Sequence, residues 1–164
     1  MTRAGLLAIL AIAAPVVGTL ASLAINEAQL RDATEWRIPI TGYDPRDPLR
    51  GRYIAFQYDW MVAGRRTACP SGDCVLCLED GGRRVRVEPR NDVCPASVDA
   101  VASGLFVRYA TEGGQTRATA ATRIWVSEAR APELERQLQT RPMVAVSRLT
   151  RSGRLIATHL EPAP

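Results

Sequence analysis

The chain has no lysine: every one of its 21 Lys/Arg positions is arginine. That excludes a Schiff base on an amine side chain, a lysine general base for a serine nucleophile and a phosphate-loop lysine. Histidine is almost as scarce, with His159 alone near the C-terminus. A multi-histidine metal site is thereby excluded, and a lone histidine between apparent strand residues reads as a surface position. No G-x-S-x-G elbow or phosphate loop occurs, and Ser71 and Ser97 have no histidine or lysine in a motif context. Basic blocks are missing too. The net charge of +4 is spread along the chain, in pairs such as Arg65-Arg66 and Arg83-Arg84, which is no nucleic-acid surface. Neither a cofactor nor a nucleic-acid partner is expected, and no internal repeat or low-complexity linker divides the chain.

Long apolar runs are absent with one exception. Residues 6–25 carry no charge, and only Thr19 and Ser22 bring hydroxyls. At 1.5 Å per residue such a helix rises about 30 Å, the thickness of a bilayer's hydrocarbon core. The stretch is expected to be a transmembrane signal anchor, in which Pro15 and Gly18 are tolerated and Ala11, Ala14, Gly18 and Ala21 permit close helix packing. The alternative is a cleaved signal peptide, with Arg3 as its positive start and Ser22-Leu23-Ala24 as its small residues. Arg3 before the span, with Glu27 and Asp32 after it, orients the rest of the chain outward. The expected organisation is a cytoplasmic tip at 1–5, an anchor at 6–25, a juxtamembrane segment and first strand at 26–42, and an extracytoplasmic strand-rich domain at 43–164.

Beyond the apolar run the chain is patterned as strands. Trp36 to Ile40 begins a strand pair, then Gly42, Asp44, Pro45, Asp47 and Pro48 punctuate a turn. Gly51 to Val62 alternates at period two, with an even-numbered face bearing Ile54, Phe56, Tyr58, Trp60 and Val62 that is expected to be buried. Three hairpins are read around Asp80-Gly81-Gly82, Glu112-Gly113-Gly114 and Arg151-Ser152-Gly153-Arg154. Pro132 opens a short helix with Leu134 and Leu138 one turn apart. The expected fold class is an N-terminal transmembrane helix followed by a mainly β (α+β) domain of antiparallel hairpins with one short helix.

The run Asp44-Pro45-Arg46-Asp47-Pro48-Leu49-Arg50-Gly51-Arg52-Tyr53-Ile54-Ala55-Phe56-Gln57-Tyr58 resembles the GDYXXLXY family of membrane-anchored bacterial proteins. Gly51, Tyr53 and Tyr58 match the motif's glycine and two tyrosines, whereas Arg52 replaces its aspartate and Phe56 its leucine. Arg123-Ile124-Trp125-Val126 and Glu133-Leu134-Glu135 look like the family's later strand and acidic helix. The resemblance implies one transmembrane helix in the bacterial inner membrane and a domain in the periplasm or outside the cytoplasm. Multispanning membrane proteins of unknown role are implied as neighbours, and no reaction is implied.

Two constellations stand out as candidate sites. Asp44, Arg46, Asp47, Arg50, Gly51 and Arg52 form a stiff, charged, proline-braced loop beside Tyr53 and Tyr58. It reads either as a binding loop or as a capped turn with paired charges. Tyr53 and Tyr58, five apart, face opposite sides of a regular strand. Cys69, Cys74, Cys77 and Cys94 are candidate disulfides, with zinc as the competing reading. Three complete pairings exist, of which Cys69–Cys74 with Cys77–Cys94 is preferred. The expected function is a noncatalytic accessory or binding module for an envelope or integral-membrane partner, with homo-oligomerisation undecided. The alternatives are an envelope hydrolase using Asp44 and Asp47, and a purely structural domain.

Overall fold

The structure is a computed structural model that describes residues 3–44, 53–64, 74–90 and 94–164, with backbone alone at 3–12, 43 and 44. It separates into two units, Met1–Ala33 and Thr34–Pro164.

The first unit is helix α1 (Arg3–Arg31). The expectation of a transmembrane span at 6–25 is overturned: among the described residues no helix is long and apolar enough to cross a membrane. The side chains of residues 6–12 lie outside the described ones. The helix then turns polar through Asn26, Glu27 and Gln29 to Arg31, which pairs with Glu27 at 3.4 Å. The signal anchor, the single-pass inner-membrane location with its periplasmic domain, and the integral-membrane or envelope partner all rested on that span and fall with it.

The second unit is a mainly β domain curled into a half-barrel. Its strands are β1 (Thr34–Asp44), β2 (Tyr53–Val62), β3 (Cys74–Glu79), β4 (Arg84–Pro89), β5 (Ser97–Val98), β6 (Val107–Glu112), β7 (Gln115–Trp125), β8 (Met143–Leu149) and β9 (Leu155–Pro162). Two short helical elements join them, the 3-10 turn Asp80–Gly82 and α2 (Ala131–Thr140). The strand order is β5-β3-β4-β2-β1-β8-β9, and β7 pairs with β2 and carries β6 on its far side. All pairings are antiparallel except a two-residue parallel stretch in which Met61 and Val62 meet Arg84 and Val85. Strand β1 serves two partners: residues 34–39 pair with β8, and Ile40 to Asp44 pair with β2. This division lets the sheet curl.

The hairpins around Asp80-Gly81-Gly82, Glu112-Gly113-Gly114 and Arg151 to Arg154 form as the turn residues dictate. At the second, Gly113 and Gly114 both have positive φ (56° and 80°), the geometry whose twist matches flanking strands and which costs a residue with Cβ strain. Helix α2 has a proline in its first turn and buries Leu134, with Leu138 packed beside the core.

The core lies on the inner face of the curl. Along β2 the even positions Ile54, Phe56, Tyr58 and Trp60 are buried while their odd neighbours are half-buried or exposed. Phe56 meets Tyr58 edge-on at 5.5 Å, and Tyr58 stacks on Trp60 at 5.1 Å. Burying side chains of this size contributes roughly 1.5–3 kcal/mol each. Strand β8 is buried on both faces, as its near-continuous apolar run requires.

Candidate functional site

The two motif tyrosines part company on β2 as period two demands. Tyr58 is 1% exposed, and its hydroxyl meets Ser147 Oγ at 2.9 Å inside the core. Burial pushes the phenol up to about 12, the hydrogen bond to Ser147 opposing that only in part. Tyr53 points the other way, onto the outer face.

Antiparallel pairing sets Tyr53 directly across from Trp125 of β7. Their rings meet at 5.7 Å with 73° between planes, an edge-to-face contact. The Arg123 guanidinium lies 5.7 Å from the Tyr53 ring centroid, within cation–π range. Trp125 remains 66% exposed, so most of its indole is available. Two parts of the family resemblance, Tyr53 to Tyr58 on β2 and Arg123 to Trp125 on β7, thus lie on adjacent strands, with Tyr53 across from Trp125. Trp125 and Arg123 were not singled out as site residues. The available signal was their parity, since they flank Ile124, which faces the core.

Further along the outer face the side chains are small or short: Ala55, Gln57, Thr119 and Ala121. At the far end Arg117 donates Nε–H to Asp59 Oδ1 at 2.8 Å and a second N–H to Oδ2, a bidentate pair that holds the guanidinium above its usual range. The result is a low floor bracketed by an aromatic–cationic group and a neutralised ion pair. Arg108, opposite Thr119 on β6, is exposed on the same face.

The remaining candidate-loop residues take no part in this arrangement. Arg46, Asp47, Arg50, Gly51 and Arg52 lie outside the described residues, and Asp44 is placed only by its backbone pairing with Ala55. The hydrolase reading on Asp44 and Asp47 is corrected to one without support: Asp47 and the Asp44 side chain lie outside the described residues, among which no group of three or more His, Cys, Asp or Glu could hold a metal ion. Described carboxylates are instead engaged by arginine: Asp59 by Arg117, Glu79 and Glu88 by Arg86, Asp99 by Arg90, and Glu35 and Glu161 by Arg37. At Asp99 the Arg90 guanidinium, with the Ala102 N–H, holds the carboxyl below its usual range. His159 is a half-exposed strand residue 3.9 Å from Glu161.

Cys77 and Cys94 form a disulfide with Cα atoms 5.8 Å apart. Cys74 is disulfide-bonded as well, and Cys69 lies outside the described residues. Sulfurs bonded to each other are not thiolate ligands, which removes zinc from Cys77 and Cys94.

Two cavities open elsewhere. One of about 520 Å³ is lined by Trp36, Arg37, Asp80 and Arg83 among others. Its Arg37 is already spent on Glu35 at 3.0 Å and Glu161 at 2.7 Å. The other, about 240 Å³, is lined by Thr41, Phe56, Leu138, Arg141 and Met143 among others.

Fold and outer face together define a disulfide-stapled, mainly β domain with an exposed aromatic–arginine cluster. The chain belongs to the GDYXXLXY protein family, whose sequence model matches residues 15–160. No curated protein and no solved structure matches it.

Proposed function

We propose that the Thr34–Pro164 domain is a recognition module that works without a catalytic centre of its own and binds an extended acidic peptide segment across the outer face of β2 and β7. The observation that carries this reading is the Tyr53–Trp125–Arg123 cluster, in which a largely exposed indole stands beside a guanidinium that no described carboxylate neutralises. Exposed tryptophan and arginine side by side are the residue types that dominate binding energy at protein interfaces. The floor of Ala55, Gln57 and Ala121 lets a peptide backbone approach closely, and its sign of charge is supplied by Arg123 and Arg108 once Arg117 and Asp59 have cancelled each other.

Panning a displayed library of extended peptides against the full chain is expected to return sequences that combine acidic residues with an apolar anchor. Trp125→Ala weakens binding of the selected peptide by at least about tenfold, as loss of a central aromatic does. Arg123→Glu weakens it further, and the wild-type affinity falls with added salt. Recovery of basic and neutral sequences as often as acidic ones, or an affinity indifferent to Trp125→Ala, would contradict the proposal.

A further inference from the structure

Strand β1 changes partners at its middle, and the change leaves a gap. Residues 34–39 pair with β8 from Thr34–Leu149 to Pro39–Val144. Carried on, that register would set Ile40 opposite Met143, Thr41 opposite Pro142 and Gly42 opposite Arg141, yet none of these pairs forms. Pro142 has no N–H to give to a ladder, and the positive φ of Gly42 (57°) turns β1 aside. All six residues line the cavity of about 240 Å³, which is therefore the unzipped end of the β1–β8 ladder.

We infer that this cleft binds a small organic acid, an apolar body carrying one carboxylate. Buried Phe56 and Met143 and half-buried Ile40 and Leu138 supply apolar walls, while Thr41 and Arg141 are exposed. Arg141 is the one charged residue that lines the cleft, and no described residue pairs with its guanidinium. Its main chain is held in place: it caps α2 in an extended conformation, and its N–H donates to Gln137 O at 3.1 Å. A planar guanidinium takes a carboxylate through two parallel hydrogen bonds, and the Thr41 hydroxyl is a further donor beside it.

Charge and size narrow the ligand. A cation would find Arg141 and no carboxylate to meet it. The larger cavity offers no such selection, since Glu35 and Asp80 accompany Arg37 and Arg83 there. The cleft holds the volume of about eight water molecules, which admits a short aliphatic tail and excludes a long acyl chain. Phe56 faces the core whereas Tyr53 faces outward, so this site is separate from the outer face that recognises peptide.

Titration of the full chain with hexanoate, followed by amide correlation spectra, is expected to give saturable shifts at Ile40 to Gly42, Arg141 and Met143, with a Kd on the order of 1 mM. Arg141→Gln weakens binding by at least about tenfold, and Arg141→Lys by less, since an ammonium keeps the charge and loses the fork. Arg130→Gln, which removes an exposed cation at the other end of α2, leaves binding unchanged. Hexylammonium and hexanol, which keep the tail without the carboxylate, bind at least about tenfold more weakly. Leu138→Trp fills the cleft and abolishes the shifts, with a cooperative thermal melt showing that the variant is folded. Failure of hexanoate to saturate below about 20 mM, hexylammonium binding as well as hexanoate, or an Arg141→Gln variant with wild-type affinity would overturn the inference. So would a peptide ending in leucine that binds at least about tenfold more tightly than hexanoate, which would assign the cleft to a chain terminus.

Discussion

Tyr58 shows how one residue of the motif serves the core. Its ring stacks on Trp60 while its hydroxyl, sealed from water, meets Ser147 of β8. Removing either partner leaves the other's polar atom buried and unpaired. Tyr58→Phe or Ser147→Ala is therefore expected to cost about 1–2 kcal/mol in chemical denaturation, and the double variant less than the two singles summed. The same burial makes stability alkali-sensitive. The Tyr58 phenol is raised from 10.0 to about 12, so from pH 10 upward the unfolded chain gives up a proton that the folded chain retains. The stabilisation is complete below pH 10 and is lost as the pH rises toward 12. Tyr58→Phe is expected to flatten that decline, and a spectrophotometric titration of the tyrosines should show one ionising late. A variant as alkali-sensitive as the wild type would assign the effect to another group.

At the scale of elements, the β3–β4 turn and the disulfide hold the cysteine-bearing hairpin against its neighbours. Asp80, Gly81 and Gly82 follow one another at positive φ. A Cβ on Gly82, whose φ is +99°, would stand 3.0 Å from Arg37 O and 3.1 Å from Ile38 Cγ1, while one on Gly81 meets nothing within 4 Å. Gly82→Ala is expected to destabilise by about 2–3 kcal/mol, since strand β1 must shift, and Gly81→Ala by only about 1 kcal/mol for its left-handed backbone. Equal losses in thermal melts would show that contact with β1 is unimportant. The Cys77–Cys94 bond spans a sequence separation of 17, and the variant lacking both cysteines is expected to lose about 3 kcal/mol on the chain-entropy estimate. Reductant should lower the wild-type melting temperature and leave that variant's unchanged, apart from any contribution at Cys74.

For the molecule as a whole, β2 is the organising strand. It is flanked by β7 along its length and by β1 and β4 on the other side, with its inner face buried from Ile54 to Trp60 and half-buried at Val62. Its amides are expected to be among the slowest to exchange with deuterated solvent, opening only with the domain, whereas the two-residue β5 exchanges through local opening. Fast exchange in β2 would mean that the curl opens without global unfolding. At this scale the chain's membership of the GDYXXLXY family and its β architecture are secure, while the hydrolase and membrane-anchor readings have no support among the described residues.

Much of the domain was legible in the sequence because it depends on neighbours along the chain. Period-two alternation exposed the buried face of β2, two glycine pairs and the single Gly153 marked three hairpins, and Pro132 with two leucines one turn apart marked α2. The Cys77–Cys94 pairing is the one preferred from the sequence, and the Cα separation of 5.8 Å between β3 and the segment before β5 bears it out. The apolar stretch at 6–25 was expected to span a membrane, whereas among the described residues no helix is long and apolar enough to do so. The outer-face cluster lay beyond the sequence for a related reason. Parity tells which face a residue takes, but not which strand lies alongside, and Tyr53 and Trp125 are brought together by a non-local register across β2 and β7. Tertiary structure decided that meeting, as it decided that Tyr58 would find Ser147, because the partners of both tyrosines come from strands far along the chain.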